Sequence, residues 1–152
     1  MRLLAARCLS GIDEQTEIVI PTLVNCLSDP DSQVRETVLR YLGFFHGRAR
    51  RALPEVLASM GDQNLTVRNS AMWAACEIEE DVVAMLVERL GMDKPEIREA
   101  AALGLQHRGK GDSRAVTALT SALLDKDSNV RKQVAQALKA NDPALAEKLG
   151  VK

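Results

Sequence analysis

At 152 residues, 46% hydrophobic and 3% aromatic, the chain has enough apolar residues for a core but must build it from Ala, Leu and Val. That composition excludes an aromatic, β-branched sheet and favours helix. A net charge of −1 argues against a strong electrostatic drive toward nucleic acid or an anionic membrane surface, and no apolar run approaches the ~20 residues of a membrane-spanning helix.

The first residues, Met1 to Ala6, have the apolar character of a signal peptide, but Arg7 interrupts it, and Asp13 and Glu14 stand where a cleavage region would fall. The expectation is a cytoplasmic protein whose Cys8, Cys26 and Cys76 are reduced thiols within helices, since their spacing fits no metal site. The same opening residues are read as a helix near 1–10. An outer helix near 16–28 follows, with Ile20, Leu23, Val24 and Leu27 at i, i+3, i+4 and i+7 of one stripe. An inner helix near 33–45 comes next, then an outer one near 50–61 carrying Leu53, Val56, Leu57 and Met60. The pattern continues with inner 65–77, outer 81–91, inner 95–107, outer 113–124 and inner 128–140, and a short helix within 143–149 covers the last repeat.

The inner helices are copies of one another. Each opens on a polar turn, then Val or Ile followed at once by Arg, and the arginines Arg35, Arg68, Arg98 and Arg131 lie 33, 30 and 33 residues apart. Arg2 lies 33 residues before Arg35, which makes the first helix a half repeat. From the residue before each Arg runs an i, i+4, i+8 row: Val34, Val38 and Leu42; Val67, Ala71 and Ala75; Ile97, Ala101 and Leu105; Val130, Val134 and Leu138. A second apolar row beside it means that each inner helix is contacted from more than one side. Asp31, Asn64 and Asp127 stand where N-caps are needed, Pro95 follows such a position, and Pro21 and Pro54 sit early in their outer helices. The expected organisation is a single domain: a half repeat at 1–15, repeats at 16–48, 49–80, 81–111 and 112–141, and a capping tail at 142–152.

The recurring Asp-x-x-x-x-Val-Arg-x-x-Ala-x-x-x-Leu resembles a HEAT repeat, most of all the short bacterial kind also called HEAT-like repeats of phycobilisome lyases. Ankyrin's Thr-Pro-Leu-His and the Trp-Leu-Gly-Tyr of tetratricopeptide repeats are absent. The resemblance covers about residues 1–140. It implies an all-α superhelix of helical hairpins, with the second helices on the concave side and a protein as partner. It also implies an Asp–Arg ladder between neighbouring repeats, here Asp29, Asp62 and Asp125 with Arg35, Arg68, Arg98 and Arg131. Met92 replaces the aspartate of the third repeat, with Asp93 as the substitute next to it.

Candidate chemistry is sparse. His46 and His107 lie in connections, neither followed by Glu as the iron-binding HEAT hydroxylases require, and Arg108 to Ser113 lacks the spacing and the preceding strand of a phosphate loop. No metal, cofactor or catalytic group is expected. The connections alternate in charge, with Arg48, Arg50 and Arg51 either screened by neighbouring acidic loops or forming a docking point. Five residues after each Arg, the inner helices should face the groove with Arg7, Arg40, Trp73, Leu103 and Gln136. Glu36, Asn69, Glu99 and Lys132 flank that row, and Phe44 and His107 lie near its rim. Trp73 is either an interface anchor or a filler lying flat over small neighbours. The expected function is a non-catalytic protein-binding scaffold; the alternative is a subunit of a phycobilin lyase or isomerase, and nucleic-acid binding is disfavoured.

Overall fold

The computed structural model describes residues 16–151. All regular structure among them is helical: α1 (Thr16–Asn25), α2 (Ser32–Phe44), α3 (Leu53–Ala58), α4 (Leu65–Ile78), α5 (Val82–Arg89), α6 (Pro95–Arg108), α7 (Ser113–Ala122), α8 (Ser128–Asn141) and α9 (Pro143–Lys148). The expected helix at 1–10 lies outside the described residues, together with Arg2, Arg7, Cys8, Asp13 and Glu14. The chain divides into two compact units, residues 1–80 and 81–152. Among the described residues no helix is long and apolar enough to cross a membrane.

In the first unit α2 packs along α4, with α1 and α3 as the outer partners; in the second, α6 packs along α8, with α5 and α7 outside. The inner helices bury the rows their sequence repeats. Val34, Val38, Leu42, Val67, Ala71 and Ala75 are buried in the first unit, and Ala101, Leu105, Val130, Val134 and Leu138 in the second. The flanking row is buried at Leu39, Met72 and Ala102 as well, so each of these helices is covered from a second side. The outer helices bury a single stripe, including Leu23, Val56, Leu86 and Leu119.

Helix starts follow the cap chemistry. The Asp31 carboxylate accepts from the Gln33 amide at 2.9 Å, Asn64 from Thr66 at 2.9 Å, and Asp127 from Asn129 at 2.8 Å. The third inner helix starts instead at Pro95, with no side-chain cap on Lys94. Pro95 has no amide to satisfy, which reduces the need for a cap.

The outer helices depart from the expected spans. The first two end in tighter three-residue turns at Cys26–Ser28 and Ser59–Gly61, so their α-helical parts are shorter than 16–28 and 50–61. The second begins as a tight helix at His46–Ala52, whose buried residues Ala49 and Ala52, three apart, share one face of it. Pro54 does sit in the first turn of α3, but Pro21 lies well inside α1, where it removes an interior hydrogen bond.

The ladder arginines use their two edges differently. In Arg35, Nη1 donates to the carbonyls of Asp29 (2.8 Å) and Pro30 (3.2 Å), which fixes the side chain against its own turn. Nε and Nη2 then donate to both carboxylate oxygens of Asp62, in the following repeat, at 2.8 and 2.9 Å. Arg98 repeats this with the carbonyls of Met92 and Asp93 and with the Asp125 carboxylate, at 2.7 and 2.8 Å for the carboxylate bonds. Asp93 thus contributes its main-chain oxygen to this arrangement. Both guanidiniums are buried, at 7% and 5% residue exposure, and each donates along both edges to four oxygens. Arg68 and Arg131 make the carbonyl contacts to their own turns in the same way.

Burial alone would raise the Asp62 carboxyl, but hydrogen bonds from Arg35 and the Asn64 amide, with the charges of Arg35 and Arg68, together hold it below its ordinary 3.8. Hydrogen bonding by Arg98 holds Asp125 below 3.8 against its burial. A carboxyl whose folded pKa is depressed stabilises the fold fully above its unfolded pKa and loses that contribution as pH falls through the folded value. Stability measured by urea titration should therefore fall steeply below about pH 4, the unfolded carboxyl range, and Asp125→Asn should flatten that fall. At neutral pH, Arg98→Ala should cost about 3 kcal/mol by stranding a buried carboxylate. Arg131→Ala should cost under about 1 kcal/mol, because it removes only hydrogen bonds from an exposed side chain to carbonyls. Equal losses at the two positions would contradict the division between arginines engaged along both edges and those engaged along one.

Candidate functional site

All four aromatic residues of the chain, Tyr41, Phe44, Phe45 and Trp73, belong to α2, α4 and the turn after α2. The Phe44 ring meets Trp73 edge-on, with centroids 5.4 Å apart and planes at 71°, and Tyr41 lies 6.5 Å from Phe44 on its other side. Phe45 is buried beneath them, while Phe44 is 56% exposed, which is unusual for a large apolar ring.

Phe44 and Trp73 line a cleft of about 320 Å³ in the first unit, together with Glu36, Arg40, Asn69 and Ser70. Successive turns of α2 supply Glu36, Arg40 and Phe44, four residues apart, and α4 supplies Asn69 and Trp73 by the same spacing. The cleft therefore presents an aromatic floor, an exposed guanidinium, a half-buried carboxylate and small hydrogen-bonding groups. A 320 Å³ hollow of this kind suits one or two side chains of a peptide.

Trp73 is half-buried and fills space against the neighbouring inner helix. The Cζ3 corner of its ring sits against Gly43 of α2, so that a Cβ on Gly43 would collide with the indole there. The space that the ring occupies is thus at Gly43, in the preceding repeat. The rest of the ring faces the cleft. Gly43 was missed from sequence, although a signal was present. Eight residues after each Arg stand Gly43, Cys76, Gln106 and Lys139, so glycine occurs only in the repeat preceding the tryptophan.

Sequence similarity agrees with this architecture. A family model for HEAT repeats matches residues 1–76 and again 60–139. The chain belongs to the HEAT-repeat family. No curated protein matches it with significant similarity.

The remaining expected site residues of this HEAT-repeat chain distribute as follows. Arg7 lies outside the described residues. In the second unit Leu103 is half-buried and Gln136 is exposed, on the inner helices α6 and α8. Beside them the Gln133 amide donates to Gln106 at 2.8 Å. His107 is exposed at the end of α6. The basic loop is already engaged by acidic neighbours: Arg51 pairs with Glu17 at 2.9 Å, Arg50 with Glu79 at 3.1 Å, and His46 approaches Glu77 at 3.5 Å. Arg48 lies over the Phe45 ring at 5.7 Å. The second unit repeats this edge, where Arg114 bridges Asp81 at 3.0 Å and Asp112 at 2.8 Å. These pairs are mostly exposed and contribute little each, but they leave the loop less charge to offer a partner. The Cys76 thiol is buried against Met72 Sδ at 3.8 Å. No group of three or more His, Cys, Asp or Glu among the described residues could hold a metal ion.

Gly43→Ala tests the seating of the indole. Ala gains about 1 kcal/mol in helix propensity, but the collision with the ring should outweigh it and leave the protein about 1 kcal/mol less stable. The ring, displaced toward water, should emit at longer wavelength. An unchanged emission maximum would show that Trp73 does not rest on Gly43.

Proposed function

We propose that this HEAT-repeat chain is a non-catalytic scaffold that binds a protein partner through the inner-helix surface, with the Arg40–Phe44–Trp73 cleft as its principal contact. The observation that carries the reading is the pairing of Phe44 and Trp73 beside an exposed arginine on an inner-helix face. Trp and Arg are the residue types most enriched where interfaces concentrate their binding energy. Repeat packing requires neither Phe44 to be 56% exposed nor Arg40 to stand in the cleft. Leu103 and Gln136 occupy the same register in the second unit and form the secondary contacts of this reading. Fold alone would not support this reading, because repeat proteins host many functions; the composition of the cleft supports it.

The chain has one tryptophan, so binding at the cleft carries its own optical signal. Affinity capture from native lysate should retain a partner that Trp73→Ala and Arg40→Glu each lose, with both variants folded by circular dichroism. Titration of the identified partner should change Trp73 emission, and each variant should weaken binding at least tenfold, about 1.4 kcal/mol. Undiminished binding by both variants would remove the cleft from the interface.

A further inference from the structure

The ladder supplies its own template for a second binding surface. In Arg35 and Arg98 the Nη1 edge is fixed by two carbonyls of the local turn, and the Nε/Nη2 edge takes an aspartate from the following repeat. Arg131 is fixed in the same way, with Nη1 donating to Asp125 O at 2.6 Å and Lys126 O at 3.1 Å. Its Nε/Nη2 edge has no partner among the described residues, and the side chain is exposed. The guanidinium thus exposes the edge that takes a bidentate carboxylate in Arg35 and Arg98.

The surface beside it is apolar. A cleft of about 480 Å³ adjoins Arg131, with Leu123, Leu124, Ala135, Leu149 and Val151 among its walls. Leu124 is 91% exposed and Leu149 46%, two of the most exposed large apolar side chains among the described residues. The equivalent of Ala135 beside Arg98 is Ala102, which is fully covered. A guanidinium edge and an apolar face that are covered in one repeat are therefore both open in the other.

We propose that this end of the α7–α8 hairpin docks an acidic turn-and-helix element of a partner protein, seated on Arg131 as Asp125 is seated on Arg98. The chemistry of the occupant follows from the two internal examples. Asp62 and Asp125 each also accept the amide two residues ahead, of Asn64 and Asp127, at 2.8 Å, so the arginine reads an aspartate folded into a turn. That turn leads into an N-capped helix whose apolar residues fall five, nine and thirteen positions after the aspartate: Val67, Ala71 and Ala75 in one case, Val130, Val134 and Leu138 in the other. The ligand pattern is Asp-x-Asp/Asn, then a helix with small apolar residues at that spacing. A second copy of this chain fits poorly, because its Asp62 and Asp125 carboxylates are already held by Arg35 and Arg98.

The probe is a helix-stapled, fluorescein-labelled peptide with the sequence of residues 120–141, titrated into the full chain and followed by fluorescence polarisation. Saturable binding is expected, weakened at least tenfold by Arg131→Gln in the chain and by Asp125→Asn in the peptide, and by Leu124→Asp. Arg131→Gln should stay folded, since only carbonyl contacts of an exposed side chain are lost, and circular dichroism checks this. No saturable binding at millimolar peptide, or binding indifferent to Arg131→Gln and Asp125→Asn, overturns the proposal. Self-association of the chain in sedimentation that Arg131→Gln abolishes would assign the face to a second copy and overturn the choice of occupant.

Discussion

The bidentate bond between an arginine of one repeat and an aspartate of the next is the constraint on which each unit depends. Apolar stripes of Ala, Leu and Val are non-directional and would tolerate a slide of one helix along another. The Arg35–Asp62 and Arg98–Asp125 pairs do not, because two parallel hydrogen bonds of 2.7 to 2.9 Å fix both distance and orientation. The same arginine is tied to its own turn by two carbonyls, so each pair joins the start of one inner helix to the start of the next. Burial makes this attachment strong only while it is complete, since a stranded charge at such a site is costly.

That constraint explains why so much of the fold was legible in the sequence. A repeat protein writes its architecture several times, and the inner helices at 32–44, 65–78, 95–108 and 128–141 follow the Val-Arg register to within a residue. Caps at Asp31, Asn64 and Asp127 were legible for the same reason, because a polar residue must stand at each helix start. The outer helices were read less well. Their single buried stripe fixes a face without fixing a helix type, and Ala49 and Ala52 are satisfied by three residues per turn as well as by 3.6.

The cleft was half legible. Arg40 and Trp73 came from the register, and the structure brings them together with Glu36, Asn69 and Phe44. Gly43 and Ser70 did not, because their importance depends on which helix lies opposite, and a single-helix pattern contains no cross-helix neighbour. The basic loop at Arg48, Arg50 and Arg51 shows the converse. Its charge was plain in the sequence, but charge alone did not say that Glu17 and Glu79 would be the nearest carboxylates.

Departures from the repeat separate two kinds of position. Met92 stands where the register calls for an aspartate, the interval there is 30 residues instead of 33, and the division between the compact units falls in the same stretch of sequence. Three departures within a dozen residues mark a place where one copy of the unit ceases to dictate the next. Gly43 and Trp73 depart together in another way, since a missing side chain on one helix makes room for an oversized one on its neighbour. A compensated pair that leaves part of an indole ring facing a cleft beside a guanidinium has a feature that packing does not require. Within each unit the repeat supplies an inner-helix face, and the residues that break its pattern give that face its chemistry.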